Sequence, residues 1–207
     1  VGYVTNQYLA RFWKDMAREN GWEYEPNGNP SAEQAVMFRQ GHSQTITNVI
    51  KGVIDGRSFR FFLYQFKIGS GKSEHTYAYT VFSFRFNGIF PSIYLNRKSD
   101  GFSFMAGEKI PLPSEFEDKF ILAAPRGYEV EALEIFTPDV LAKILDSKFN
   151  HDVEFVGQEI FMFVPGAIYR IGKFEEELNR ALELEDLLDE KLDKFKFEKI
   201  GDRSPLL

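Results

Sequence analysis

The sequence predicts an α+β fold. An antiparallel, aromatic-rich β-sheet, a meander plus a later hairpin, is flanked by N-terminal, middle and C-terminal helices. Three observations predict it. Apolar residues alternate through 44–54, 57–68 and 75–86, and Asp55-Gly56, a strong two-residue hairpin signal, separates the first two runs. Helical spacing marks 5–20 and 173–195, and a helix-start signal opens at Thr137. The 22 Phe and 9 Tyr among 207 residues favour a pleated surface, on which flat rings pack well.

In the first helix Tyr8, Leu9, Phe12, Trp13, Met16 and Ala17 make the apolar stripe, and Asn20-Gly21 supplies a left-handed stop. "EPNGNPS" reads as a loop, and Ser31 with Gln34 as a capping box that opens a short helix to about Phe38. After the three alternating runs, Asn87-Gly88 reads as a turn, and a fourth strand at 92–96 ends before an Asp100-Gly101 turn. The proline-punctuated "EKIPLPS" leads to a strand in "DKFILAA" and then a mixed stretch, 128–136. Thr137-Pro138-Asp139 combines a cap, a first-turn proline and an acid facing the helix dipole, so the middle helix runs to about Ser147. A hairpin of 152–156 and 159–164 turns at Gly157-Gln158. The last helix, Lys173 to about Phe195, carries Phe174, Leu178, Ala181, Leu188, Leu192 and Phe195 in one stripe, widened by Leu182 and Leu184.

The length suits one domain, 1–207: a helical segment 1–40, a sheet core 43–165 with one inserted helix, and the helix 173–197. A net charge of −6 disfavours nucleic acid as a partner. With no cysteine there is no disulfide, thiol nucleophile or thiolate metal site, which fits a reducing compartment. No run approaches the ~18 apolar residues of a membrane helix, so the chain reads as soluble and cytoplasmic. It opens on Val1 rather than Met, which leaves room for an upstream segment.

The stretch "KIGSGKSEHT", 67–76, carries the letters of a phosphate-binding loop. Such a loop needs a glycine five positions before the Gly-Lys pair and a helix after it, so that main-chain amides surround the anion. Phe66 stands at that position, and a strand pattern follows Ser73. The stretch therefore reads as a hairpin tip. With Gly69 and Lys72 flanking the turn, one face sets Phe62 opposite Tyr79, Tyr64 opposite Tyr77 and Phe66 opposite His75. The other sets Phe59 opposite Phe82, Phe61 opposite Thr80 and Leu63 opposite Ala78. Both faces are apolar, so the hairpin should be central and covered on both sides, with helices as the obvious cover. The Tyr64, Tyr77 and Tyr79 ladder could stack bases in the open, but core packing is favoured in an acidic protein.

His42, His75 and His151 lie apart in loops or at strand edges without metal-ligand spacing, and read as surface or turn residues. No GxSxG nucleophile elbow occurs. Glu115, Glu117, Asp118, Glu129, Glu131 and Glu134 would serve hydrolysis only if two of them faced each other across a cleft. The apolar stripe of the last helix can pack on the sheet or, through 174, 181, 188 and 195, pair with a second copy; Glu185 weakens the pairing.

The ordered motifs "GWEY", "NVIKG", "GSGK", "SEFEDKF" and "TPDV" resemble a bacterial domain family of unknown function found in uncharacterised membrane-anchored proteins. The resemblance covers roughly residues 9–164. It implies an upstream transmembrane helix that this chain lacks, and a place at the inner face of the plasma membrane. It implies no catalytic residues. The expectation is a non-catalytic binding or interaction module without cofactor or metal, partnered by a protein or by a second copy through the C-terminal helix. The candidate ligand or partner surface is Tyr64, Lys72, His75, Tyr77 and Tyr79. The alternatives are a small-molecule or lipid binder, or a hydrolase with an acidic pocket.

Overall fold

The computed structural model of the protein describes residues 2–98, 107–147 and 149–192. It is an α+β structure. Helix α1 (Gly2–Asn20) is followed by strands β1 (Glu23–Gly28), β2 (His42–Ile54), β3 (Arg57–Ile68), β4 (His75–Arg97) and β5 (Glu108–Ile110). Then come a single helical turn α2 (Ser114–Glu117), strand β6 (Phe120–Ala124), helices α3 (Glu129–Ile135) and α4 (Pro138–Asp146), strand β7 (Asp152–Pro165) and helix α5 (Ile171–Leu192). The seven strands pair antiparallel in the order β1-β2-β3-β4-β6-β5, with β7 also paired to β4. None of the described helices is long and apolar enough to cross a membrane.

The 23-residue β4 organises the sheet: its first half lies between β3 and β7, its second between β6 and β7. Two expected turns are absent. Asn87-Gly88 does not end a strand; it lies in a bulge where 86–89 of β4 face Gln158 alone, between the rungs Arg85–Glu159 and Phe90–Gly157. Likewise 152–156 and 159–164 do not form a hairpin. They are one strand, and Gly157 (φ 60) spends its left-handed freedom matching the bulge of β4. Each segment pairs with β4 rather than with its neighbour. The Asp100-Gly101 turn and Phe195 lie outside the described residues.

The β3–β4 register differs from the expected one by two residues: Phe62 faces Val81, Tyr64 faces Tyr79, Phe66 faces Tyr77, and Phe59 faces Phe84. A two-residue shift keeps every side chain on its face, so the two aromatic faces stand as expected. On one face α1 lays down Leu9, Trp13, Met16 and Ala17, while α5 adds Phe174, Ala181, Leu184, Leu188 and Leu192. The stripe of α5 therefore packs on the sheet. Tyr8, expected in the α1 stripe, is 61% exposed. Trp13 stands edge-on to Phe61 and Phe174, and its Nε1–H donates to the Ile168 carbonyl at 2.9 Å.

The second face is covered differently. The expected helix at 31–38 is instead a strap, 29–41, with two 3-10 turns at Pro30–Ala32 and Val36–Arg39. Asn29 rather than Ser31 supplies the cap, its side chain accepting from the Ser31 amide. Phe38 drives into the sheet, with ring centroids 4.8–5.8 Å from Phe62, Tyr64, Phe161 and Phe163. Of the stretch 25–31 read as a loop, residues 25–28 belong to the edge strand β1, and the mixed stretch 128–136 contains α3.

The motifs "GWEY", "NVIKG", "SEFEDKF" and "TPDV" lie inside this frame. Trp22 lies against Gly52, where a Cβ would stand 2.6 Å from its ring, and edge-on to Phe59 and Phe61. The Tyr24 hydroxyl donates to Asn48 Oδ1 at 2.9 Å, and Asn48 holds a left-handed backbone (φ 55). Phe116 and Phe120 of "SEFEDKF" stack at 4.9 Å. Thr137-Pro138 opens α4 as expected, although the Thr137 hydroxyl donates to Asp139 rather than to the main chain.

Candidate functional site

The β3–β4 tip is a six-residue loop, 69–74, closed by a three-residue 3-10 turn at Gly71–Ser73. The Ser73 and Glu74 amides donate back to the Ser70 and Gly71 carbonyls, so they are spent within the turn and cradle no anion. His42 Nε2 meets the Gly69 carbonyl at 2.9 Å, and Lys67 pairs with Glu74 at 2.7 Å. Gly69 (φ 88) is fixed twice over: a Cβ there would also stand 2.5 Å from the Ser73 carbonyl oxygen. At Gly71 (φ 58) an added Cβ would meet nothing within 4 Å. Gly69→Ala is therefore expected to cost about 2–3 kcal/mol and Gly71→Ala about 1 kcal/mol, read as denaturant midpoints. Equal losses would contradict the close approach at Gly69.

The candidate residues divide by depth. Lys72 and His75 are exposed at the tip, and Tyr77 is half-buried with its ring stacked on Phe66 at 5.3 Å. Tyr79 is buried, edge-on to Phe163. Tyr64 is fully buried and donates its hydroxyl to the Met37 carbonyl; burial pushes its phenol well above the usual range. Cross-strand pairing sets Tyr64 opposite Tyr79 rather than Tyr77, and Phe38 stands edge-on to Tyr64. The surface that can be touched is thus Lys72, His75 and the edge of Tyr77.

Charged groups, half-buried or buried, also tie the elements of the fold together. Arg60 makes a two-pronged bond to Glu33 (2.8 and 2.9 Å) and reaches Glu159 (3.0 and 3.1 Å), which ties the strap to β3 and β7. Arg57 joins the β2–β3 turn to Glu185 (2.7 Å) and Asp186 of α5. His151 stands outside the surface class expected of it. It is 3% exposed, with Nε2 2.8 Å from Glu177 of α5. Burial alone would raise Glu177, but hydrogen bonds from His151 and Lys173 outweigh it and hold the carboxyl at about 2. Glu154 on β7 is 1% exposed and accepts the Val36 and Met37 amides at 2.6 and 3.3 Å. Its burial outweighs those bonds and the nearby Arg39, and pushes it up to about 7.

Two surface hollows could admit a small molecule. One, about 370 Å³, lies between α4 and α5 over Ile144, Phe149, Leu184 and Leu187, rimmed by Lys143, Glu183 and Asp186. The other, about 270 Å³, lies beside the strap between Glu33, Phe38, Arg39 and Gln44. Glu115, Glu117, Asp118, Glu129, Glu131 and Glu134 line neither. Glu117 instead accepts the Leu112 amide and pairs with Lys109, and Glu129 accepts the Gly127 amide. Among the described residues no three His, Asp or Glu side chains gather as a metal site.

No protein-family model matches the chain, and no curated protein matches its sequence. A solved structure does. The crystal structure of the mycobacterial trehalose monomycolate transport factor A, TtfA, superposes with a TM-score of 0.60, covering 87% of this chain and 94% of that one. The fold is similar to that of TtfA. At 15% identity the likeness is one of fold alone.

Within this TtfA-like frame, sequence reasoning missed Arg60, Glu154, Glu177 and the burial of His151. A signal existed for two of them. Arg60 interrupts the aromatic run "FRFFLYQF", and Glu154 interrupts "DVEFV", each at a position that alternation assigns to a covered face. A charge there implies a buried partner. The partners, Glu33 27 residues away and the strap amides 117–118 away, are not legible from spacing.

Proposed function

We infer that this chain is a non-catalytic binding module that holds a protein partner at the cytoplasmic face of a membrane. One observation carries the reading. Its buried and half-buried charged groups join strap to sheet, turn to helix and strand to helix, whereas a catalytic centre gathers such groups around an open hollow. Two likenesses support it: the motif resemblance to membrane-anchored domains, and a fold shared with a protein named as a transport factor for trehalose monomycolate.

The tip residues Lys72, His75 and Tyr77 are the contact surface in this reading, with buried Tyr64 and Tyr79 fixing its shape. Self-association through α5 would use the outer side of the helix, because Phe174, Ala181 and Leu188 are buried. Affinity capture with the intact chain is expected to recover a partner that Lys72→Glu with Tyr77→Ala no longer holds. Lys72→Glu alone should change stability by less than about 0.5 kcal/mol. Capture unaffected by the tip variant, or none with the native chain, would refute the assignment.

A second reading, a lipid or small-molecule binder, is favoured by the apolar floor of the α4–α5 hollow. Native mass spectrometry of freshly isolated protein would reveal a co-purifying acyl chain, and its loss on Leu187→Arg would place it there.

A further inference from the structure

The strap 29–41 is held on the aromatic face of the sheet by few polar contacts, and one of them is unusual. Both oxygens of the Glu154 carboxyl accept consecutive amides, those of Val36 and Met37, where the second 3-10 turn begins. The next residue is Phe38, whose ring seals Phe62, Tyr64, Phe161 and Phe163 from above. Glu154 therefore sits directly under the part of the strap that does the covering.

We propose that segment 29–41 is a pH-sensitive strap, closed over the aromatic face when Glu154 is protonated and loosened when that carboxyl ionises. The closed strap encloses the carboxyl at 1% exposure, and the two amides do not compensate an anion fully for lost water. Lifting the strap hydrates it.

The surrounding groups set the direction. From the strap, the Arg39 cation favours the ionised form. From β4, Tyr94 faces Glu154 as its cross-strand neighbour; burial first, and Glu154 second, raise its phenol, so it is neutral throughout the range. On β7 itself, Asp152 is bound to Arg97 at 3.5 Å. Glu33 of the strap is bound to Arg60. The closed form titrates at about 7, against an ordinary value of 4.5 for a hydrated carboxyl. Because the closed form binds the proton more tightly, closure is strongest below about 4.5 and weakens as pH rises through 7. Between pH 5.5 and pH 8 the closing equilibrium should loosen roughly 30-fold.

Amide hydrogen exchange, corrected for intrinsic rates, reads this directly. The expected result is a roughly 30-fold fall in protection at Val36, Met37 and Phe38 between pH 5.5 and pH 8. The β3 amides of Phe61 and Leu63 should hold their protection. Glu154→Gln should make the strap indifferent to pH. Arg39→Gln, at an exposed position, should move the transition to higher pH. Equal strap protection at both pH values, a fall shared by β3, or a fall that persists in Glu154→Gln would overturn the proposal.

Discussion

Trp13→Ala is expected to lower stability by about 4 kcal/mol, one of the largest losses available from a single side chain. The indole is fully buried where α1, β3 and the start of α5 meet. Truncation removes its edge contacts with Phe61 and Phe174, leaves a cavity, and orphans the Ile168 carbonyl. That carbonyl belongs to the linker 166–170. The linker is laid along β4 by Gly166 N–H to Ala78, Thr80 N–H to Gly166, and Ile168 N–H to the Thr80 hydroxyl. Loss of the indole thus loosens the point from which α5 departs. For a chain of this size about 4 kcal/mol corresponds to a fall in Tm of roughly 10–15 °C. Trp13→Phe keeps most of the apolar volume and loses the donor, so it should cost about 1–3 kcal/mol. If the two variants melted together, the cavity would not be the main cost.

The elements that could be read from sequence were those whose signal is local. α1, the Asp55-Gly56 turn, the Thr137-Pro138 helix start and the two apolar faces of β3 and β4 each follow from neighbouring residues. The elements that could not be read depend on distant chain. β1 carries Pro26, Asn27 and Gly28, a poor strand by propensity, and it exists because β2 offers an edge to pair with. Asn87-Gly88 and Gly157 are each good turn sequences, and either could reverse the chain alone. Together they make matching irregularities in two long strands, each of which continues past its own turn sequence. The tip register slipped by two because a six-residue loop, not a two-residue one, suits positive φ at Gly69 and Gly71 with extended Ser70 between them. Parity was preserved, so Tyr64, Tyr77 and Tyr79 stay on one face, where Phe66 stacks with Tyr77 and Tyr79.

The candidate surface was legible in the same uneven way. Alternation placed Tyr64, Tyr77 and Tyr79 on one face, and they are there. Which of them meets solvent depends on the strap, whose path from Asn29 to Gly41 no local pattern encodes. Asn29 caps a single 3-10 turn that begins at Pro30, and the backbone is extended again at Glu33, so the regular helix that the Ser31–Gln34 spacing suggests does not form. A strap has no periodicity of its own; its contacts with Glu154, Arg60 and Tyr64, and the burial of Met37 and Phe38 against the sheet, fix it in place.

Arg60→Ala should be the costliest change at those contacts. The guanidinium lies between Glu33 and Glu159 and over the Phe62 ring at 5.6 Å, and the Ser83 hydroxyl also donates to Glu159. Without the cation, two carboxylates are left in a half-enclosed site. A fully buried pair broken from one side costs about 3–5 kcal/mol, and the 26–28% exposure of Arg60 and Glu159 reduces this to roughly 2–4 kcal/mol. The loss should then be recoverable. Adding Glu33→Gln and Glu159→Gln to Arg60→Met removes every stranded charge and keeps the apolar stem over Phe62, so this triple variant should regain most of the native stability. Urea midpoints of the three proteins decide between two roles for the cluster. Recovery means that the one cation serves to neutralise the two carboxylates and the apolar packing beneath holds the strap. Failure to recover means that the ion pairs themselves fasten it.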